Sequence, residues 1–162
     1  MTTELNAIAF KAQTHPKHRF QNLYGRLNSD LLYRGWASLN KQSAAGIDGV
    51  TTKDFEQRLS ENINSTAERL RQNLYRASDV KRVYIPKSNG KERPLGLPTT
   101  EDKLVQQSVS ELLQSIWEQD FLPNSYGYRS RKSAHQAIKS LQLNLQYNRY
   151  GYIVEADIKG FF

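Results

Sequence analysis

Residues 80–98 read VKRVYIPKSNGKERPLGLP, and this stretch decides the fold class. Its first half contains β-branched and aromatic residues, an Asn89-Gly90 pair lies in the middle, and prolines lie on both sides of that pair. Asn-Gly supplies the positive φ angles of a tight hairpin turn, so the stretch predicts an antiparallel β-hairpin. Pro94 cannot donate to a central ladder, which predicts that the hairpin lies at a sheet edge or projects from the fold.

Helices are predicted before and after the hairpin, because apolar residues recur there at helical spacing. These helices cover residues 4–13, 28–40, 51–75, 100–117 and 134–145. Thr51 and Thr99 each precede an aspartate by three residues, which is the spacing of a capping box at a helix start. Residues 152–157 are predicted as a strand. The fold class is therefore α+β.

The charge of the chain points to a polyanionic partner. Its 162 residues include 23 Lys and Arg against 16 Asp and Glu, a formal net charge of +7. Each phosphate neutralised by Lys or Arg releases a counterion, which favours nucleic acid. Residues 121–154 contain no acidic residue, and tyrosines are interleaved with their cations. That mixture is typical of RNA or single-strand contact, although a basic surface is also simply solvated and tyrosines also pack in cores.

The sequence excludes several classes of protein. Cysteine is absent, which removes disulfides and thiolate metal sites. The N-terminus lacks the basic and apolar regions of a secretory signal, and no stretch has the roughly 18 apolar residues of a spanning helix. A cytoplasmic protein without membrane association is therefore expected. P-loop, GxSxG and HExxH motifs are also absent from the sequence.

Two stretches carry candidate phosphate-binding and metal-binding groups. Lys87, Lys91 and Arg93 surround the predicted hairpin turn and could close over a polyphosphate. The alternative is that these cations are solvated, as is common at hairpin tips. Asp157 lies at the carboxyl end of the predicted strand, where a carboxylate could bind Mg²⁺. A single carboxylate does not make such a site, and an aspartate that caps a turn is the alternative.

A third stretch, YGYRSRKSAHQAI at residues 126–138, places tyrosines and cations before a helix that Ser133 can cap. A helix N-terminus among cations suits a phosphodiester backbone, whereas the tyrosines could instead pack under the helix. The candidate nucleic-acid-binding residues are Lys91, Arg129, Arg131 and Lys132.

Three stretches, in this order and spacing, closely resemble the fingers and early palm of bacterial group II intron reverse transcriptases, the intron-encoded maturases. They are VYIPKSNGKERPLGLPTTEDKLVQQSV, NSYGYRSRKSAHQAI and IVEADIKGFF. Upstream, HRFQNLYGRLNSDLLYRGWASLNKQSAAGIDGVT resembles the N-terminal extension of the same family. The resemblance extends over residues 17–162.

The resemblance implies the helix-rich fingers of a right-hand polymerase, with a projecting β-hairpin and the first strand of the palm. Residues 1–50 would form a mostly helical N-terminal extension, residues 51–150 the fingers, and residues 151–162 the first palm strand, where the chain is cut short. The implied activity is RNA-directed DNA polymerisation, a nucleotidyl transfer from dNTP to a DNA primer on an RNA template. Intron RNA is a further implied partner, and Mg²⁺ the implied cofactor of the full-length enzyme.

The resemblance also implies a role for each candidate residue. Asp157 matches the aspartate that binds both catalytic Mg²⁺ ions, and the carbonyl of Ile158 would complete a metal shell. Lys87 and Arg93 match the cations that clamp the triphosphate. Two metals and a cationic clamp supply the positioning and charge neutralisation that phosphoryl transfer needs.

The remaining matches lie at the end of the chain. The backbone N–H groups of Gly160 and Phe161 would face the incoming triphosphate. Phe162 matches the bulky side chain that excludes the ribose 2′-OH and so favours dNTPs.

The Tyr-x-Asp-Asp motif of the family is not among the 162 residues, so we expect that these residues do not polymerise by themselves. Two other interpretations stay open. One is a basic RNA-binding module without catalysis. The other is a non-functional remnant, since the final strand would leave an unpaired sheet edge.

Overall fold

The structure, a computed structural model, describes residues 3–86, 90–147 and 150–158. Within these ranges it contains α-helices, one short 3-10 helix and two β-strands. The helices are α1 (Thr3–Thr14), the 3-10 helix (Leu23–Arg26), α2 (Ser29–Ser38), α3 (Thr52–Gln57), α4 (Leu59–Arg71), α5 (Thr100–Trp117) and α6 (Ala134–Tyr147). The strands are β1 (Lys81–Pro86) and β2 (Glu92–Leu97). This combination confirms the predicted α+β class. No helix in the described ranges has both the length and the apolar character needed to cross a bilayer.

The chain divides into two compact units, residues 1–119 and 120–162. In the first unit, α5 packs against α1 and α2, and α2 packs against α4. Leu32, Ile63 and Leu104 lie at the centre of this core and are 0% exposed. Trp36 stacks on Phe55 in the same cluster, with ring centroids 5.2 Å apart. Each such buried side chain contributes about 1.5–3 kcal/mol, which makes α5 a rigid support for the residues at its ends.

The predicted helix over residues 51–75 is wrong in its length and continuity. The structure breaks it at Arg58, whose φ of −125° and ψ of 37° are not helical. The Asn62 side-chain amide donates to the Phe55 carbonyl at 2.9 Å, which satisfies an acceptor that a continuous helix would have bonded differently. The break therefore divides the predicted helix into α3 and α4.

α4 ends at Arg71 because Asn73 adopts the left-handed conformation, with φ of 58°. The N–H of Leu74 then donates to the Arg69 carbonyl at 2.8 Å, and the N–H of Asn73 donates to the Leu70 carbonyl at 3.0 Å. These two bonds form a Schellman motif, which satisfies the last carbonyls of the helix. Tyr75 therefore lies beyond the helix and is not part of it.

Both predicted caps on Thr51 and Thr99 are present. Thr51 Oγ1 accepts from the N–H of Asp54 at 3.2 Å, and the Asp54 carboxylate accepts from the N–H of Thr51 at 3.0 Å. This reciprocal pair is a full capping box at the start of α3. Thr99 Oγ1 accepts in the same way from the N–H of Asp102 at 3.1 Å, but the Asp102 carboxylate has other partners.

The predicted hairpin is confirmed as a two-stranded antiparallel sheet. Its register pairs Lys81 with Leu97 at the base and Pro86 with Glu92 at the turn. Gly90 has a φ of 75°, as expected in a tight turn, whereas Asn89 lies outside the described residues. No residue of either strand is buried, so the hairpin projects, in agreement with the position of Pro94.

The second unit contains a loop, α6 and an irregular segment. Ser133 caps α6, because its Oγ accepts from the N–H of Gln136 at 3.3 Å while Gln136 Oε1 accepts from the N–H of Ser133 at 2.9 Å. Described residues 150–158 form no strand, which corrects the strand predicted over residues 152–157. Alternating apolar residues make a segment able to pair, but a strand also needs a neighbour for its hydrogen bonds.

Candidate functional site

The tip of the hairpin carries the predicted phosphate-binding cations. Arg93 lies opposite Ile85, one pair from the turn end of the ladder, and its side chain is exposed. Lys91 lies between the turn and β2 and is also exposed. Lys87, the third predicted cation of the tip, lies outside the described residues.

Arg93 shares one face of the hairpin with apolar side chains. Strand alternation and the register place Val83, Ile85 and Leu95 on that face. Leu95 is 41% exposed, and Val83 and Ile85 are half-buried. A cation at the tip end of an accessible apolar face can bind a phosphate group while a flat, weakly polar ring lies along the strands.

The base of the hairpin is held by a buried carboxylate, Asp102, which is 3% exposed. Its oxygens accept hydrogen bonds from the Tyr75 hydroxyl, from the N–H of Ser78 at 3.1 Å and from Thr99 Oγ1 at 2.7 Å. A buried carboxylate needs such donors, and its place in the first turn of α5 adds the favourable end of the helix dipole. Asp102 therefore joins the chain that enters β1 to the chain that leaves β2.

The Tyr75 hydroxyl keeps its proton and donates it in the hydrogen bond to Asp102. Burial, reinforced by the hydrogen bond to Asp102, raises the pKa of Tyr75 above its ordinary value. The Arg69 guanidinium lies 5.8 Å from the centre of the tyrosine ring and forms an ion pair with Glu101. These contacts connect the end of α4 to the first turn of α5.

A loop spanning residues 40–50 closes against the same end of α5. At Gly46 an added Cβ would lie 2.6 Å from the Thr99 backbone, so the two backbones are in direct contact. Thr100 Oγ1 donates to the Val50 carbonyl at 2.7 Å, and Lys103 Nζ donates to the Ala44 carbonyl. Thr99, two residues after the end of β2, is thus held from two sides, by Asp102 and by this loop.

Asp157 and Ile158 belong to the second unit, whereas the hairpin belongs to the first. Asp157 is exposed, and its Oδ1 accepts from the N–H of Ile158 at 2.9 Å. Among the described residues, no group of three or more His, Cys, Asp or Glu is placed to hold a metal ion. Mg²⁺ takes six oxygen ligands in octahedral geometry, so Asp157 and Ile158 could supply part of a shell but do not form a metal site by themselves.

The other predicted triphosphate contacts, Gly160, Phe161 and Phe162, lie outside the described residues.

The predicted nucleic-acid-binding cations of the second unit differ in their surroundings. Arg129 Nη1 donates to the carbonyls of Leu122 and Ser125 at 2.9 and 2.8 Å, and its guanidinium lies 4.9 Å from the Phe121 ring centre. Lys132 Nζ donates to the Pro123 carbonyl at 3.2 Å and lies 5.1 Å from the Tyr126 ring centre. These contacts stabilise the loop that precedes α6.

Arg131, by contrast, is exposed and has a left-handed backbone, with φ of 64°. Its guanidinium is therefore accessible for a phosphate contact.

Sequence reasoning missed the role of Asp102. The Thr-x-x-Asp spacing correctly predicted that Thr99 caps α5, but it gave no sign of the bonds to Tyr75 and Ser78. Those partners are 27 and 24 residues away in sequence, so only the folded chain brings them to the same carboxylate.

Comparison with known proteins shows a similarity to reverse transcriptases. Residues 85–162 match the model of the family described as reverse transcriptase (RNA-dependent DNA polymerase). The chain is 34% identical over 162 residues to Protein YkfC of Escherichia coli (strain K12), covering 96% of this chain and 42% of YkfC. It is 33% identical over 160 residues to the group II intron-encoded protein LtrA of Lactococcus lactis subsp. cremoris, covering 98% of this chain and 26% of LtrA.

A more distant relative is the uncharacterized 91 kDa protein in cob intron of Schizosaccharomyces pombe, which is 27% identical over 144 residues, covering 88% of this chain and 18% of that protein. Residues 85–162 are therefore similar to the reverse transcriptase family, and the chain is similar to a group II intron-encoded protein along nearly all its length. It spans less than half the length of the curated relatives it matches. The resemblance seen in the sequence motifs is confirmed.

Proposed function

We propose that this chain provides the fingers of an RNA-directed DNA polymerase of the group II intron type, and that its hairpin clamps the triphosphate of an incoming dNTP. The observation that carries the proposal is the projecting hairpin, with Arg93 at the tip end of an accessible apolar face. Arg93 would bind phosphate oxygens, with Lys87 and Lys91 adding positive charge nearby. Phosphoryl transfer depends mainly on such positioning and charge neutralisation.

The remaining assignments in this proposal come from the family. Residues 1–50 are the N-terminal extension, residues 51–150 the fingers, and residues 151–162 the start of the palm. Reverse transcriptases use divalent metal ions, and we assign Mg²⁺ to Asp157 and to the carbonyl of Ile158. Gly160 and Phe161 would contact the triphosphate.

Phe162 would select against the ribose 2′-OH. An RNA template, a DNA primer and intron RNA are the proposed nucleic-acid partners.

The 162 residues are not expected to polymerise by themselves. Two-metal phosphoryl transfer needs several carboxylate ligands, and the described residues do not assemble them. A primer-extension assay with purified chain, dNTPs, Mg²⁺ and an RNA template should therefore show no incorporation. Template-dependent incorporation would contradict this part of the proposal.

Binding of dATP tests the clamp without requiring catalysis. We expect Arg93→Gln to weaken dATP binding about tenfold or more, because a charge-assisted hydrogen bond contributes about 1.5–3 kcal/mol. The matched control is Arg58→Gln, which removes the same charge from the junction of α3 and α4, where Arg58 pairs with Glu61. Equal losses in both variants would show that net charge, and not the hairpin, determines affinity, and would refute the clamp.

A second candidate function is a basic RNA-binding module without catalysis. The acid-free stretch of residues 121–154 favours it, because exposed Arg131 can contact phosphate there. In filter binding at increasing salt, RNA affinity should survive Asp157→Ala and fall on Arg131→Gln. Neutralising Arg129 or Lys132 should also lower affinity, but by loosening the loop that each stabilises.

Binding of dATP distinguishes the two candidate functions. An RNA-binding module would retain its RNA affinity when Arg93 is changed and would show no specific dATP binding. If neutralising Arg131, Arg129 or Lys132 leaves RNA affinity unchanged, the argument from the basic surface is refuted.

A further inference from the structure

We propose that Asp102 is a positioning residue of the nucleotide clamp: it fixes the direction of the hairpin by holding both of its ends on the first turn of α5. This inference rests on the proposed function, because the group that it positions is Arg93. A buried carboxylate far from the tip would thus control the affinity of the tip for nucleotide.

The hairpin needs an anchor of this kind. A two-stranded hairpin is marginally stable by itself in water, and no residue of β1 or β2 is buried in the core. Its direction must therefore be set by the chain segments that enter and leave it. Ser78 lies three residues before Lys81, the start of β1, and Thr99 lies two residues after Leu97, the end of β2.

Asp102 contacts both of these segments at once. One oxygen accepts from the Tyr75 hydroxyl, and the other accepts from the N–H of Ser78 at 3.1 Å and from Thr99 Oγ1 at 2.7 Å. The carboxylate is attached to a helix whose next turn contains Leu104, which is 0% exposed. The entering and leaving segments are thereby fixed to the most rigid part of the first unit.

The length of the hairpin amplifies any movement at its base. A six-residue strand at roughly 3.3 Å per residue places the tip about 20 Å from the base, so a tilt of about 6° moves the tip about 2 Å. A misplacement of that size is enough to remove a directed hydrogen bond from Arg93 to a phosphate oxygen. The bonds of Asp102 therefore bear directly on nucleotide affinity.

The control for this proposal is Asp54, which like Asp102 is the third residue of a helix but has its bonds to Thr51 at the start of α3. Asp102→Asn and Asp54→Asn both remove a negative charge from the first turn of a helix. Only the first should loosen the hairpin. Tyr75→Phe removes one donor and leaves the carboxylate in place, so it provides a milder variant if Asp102→Asn folds poorly.

Hydrogen exchange by mass spectrometry, below the melting temperature of every variant, measures the anchoring. Asp102→Asn should raise the exchange rate of amides in residues 78–86 and 92–97 by about ten- to one-hundredfold and leave α2 and α4 unchanged. Tyr75→Phe should give a smaller change in the same amides. Asp54→Asn should change neither strand.

Binding of dATP, by equilibrium dialysis of the same proteins, measures the positioning. Asp102→Asn should weaken binding about tenfold in the wild-type background and have a much smaller effect in Arg93→Gln, because Asp102 acts mainly through Arg93 and only the weaker contribution of Lys91 remains. A purely structural role would give an additive loss in the double variant, and that result would overturn the inference. Equal effects of Asp102→Asn and Asp54→Asn would overturn it as well.

The same measurements distinguish a failure of the nucleotide clamp from a failure of the role of Asp102. If the wild-type chain binds no dATP while Asp102→Asn still loosens the hairpin selectively, then the clamp is wrong and the inference falls with it. If wild-type dATP binding depends on Arg93 but not on Asp102 or Tyr75, the clamp stands and only the inference is overturned.

Discussion

Replacement of Gly46 by alanine should destabilise the first unit through a backbone collision. Gly46 lies in the loop of residues 40–50, and an added Cβ would lie 2.6 Å from Thr99 N and Cα and 2.7 Å from the Pro98 carbonyl oxygen. All three atoms are backbone atoms at the end of the hairpin, so they cannot rotate away as a flexible side chain would. The loop must therefore move.

The expected loss in the free energy of unfolding has two parts, the cost of overpacking and the weakening of a hydrogen bond. Overpacking of this kind costs about 1–3 kcal/mol. Moving the loop also weakens the 2.7 Å bond from Thr100 Oγ1 to the Val50 carbonyl, which contributes about 1 kcal/mol. We therefore expect Gly46→Ala to lower the free energy of unfolding by about 2–4 kcal/mol.

Urea denaturation followed by circular dichroism measures this loss, with Gly127→Ala as the control. An added Cβ at Gly127 meets no atom within 4 Å, and the φ of Gly127 is not in the left-handed region, so the control should change stability by less than about 1 kcal/mol. A loss below about 0.5 kcal/mol for Gly46→Ala, or one equal to that of the control, would refute the proposed contact between the loop and Thr99.

Three further predictions test the fold. Leu104→Ala should lower the free energy of unfolding by about 2–5 kcal/mol in urea denaturation, because the leucine is 0% exposed. Asn73→Ala should cost about 1 kcal/mol while Asn73→Gly costs nothing, since residue 73 has a φ of 58°; equal effects would contradict the Schellman motif. The hydrogen bonds of Thr51 lower the pKa of Asp54 below its ordinary value of 3.8. The ionised carboxylate therefore stabilises the folded state fully above pH 3.8, and this stabilisation is lost as the pH falls through the lower pKa of the folded state. Asp54→Asn should therefore flatten the acid side of a plot of Tm against pH, and an unchanged slope would contradict the capping box.

Features that depend on near neighbours in sequence were predictable. The capping box of Thr51 and Asp54 spans four residues, and the hairpin depends on one turn between two strands. Because such structures form from contacts within a few residues, their residue types and spacing determine them. The reverse transcriptase family was recognisable for a related reason, since its motifs are continuous stretches of sequence.

The end of α4 shows a limit even for local structure. The apolar stripe from Phe55 to Leu70 indicated one helix that runs to about Tyr75, which is longer than α4. Asn73 is one of the few residues that enter the left-handed region at low cost, but asparagine does so only when the following bonds are available. Here Leu74 and the Arg69 carbonyl supply them.

The sequence by itself determined the α+β class, the hairpin, the helix caps and the resemblance to reverse transcriptases. The tertiary structure decided that Asp102 holds both ends of the hairpin, that Gly46 touches Thr99, and that Arg129 and Lys132 bind carbonyls of their own loop. The physical reason is distance along the chain. Tyr75 and Asp102 are 27 residues apart, and a hydrogen bond between them exists only after packing of the intervening hairpin and helices has brought a hydroxyl and a carboxylate together.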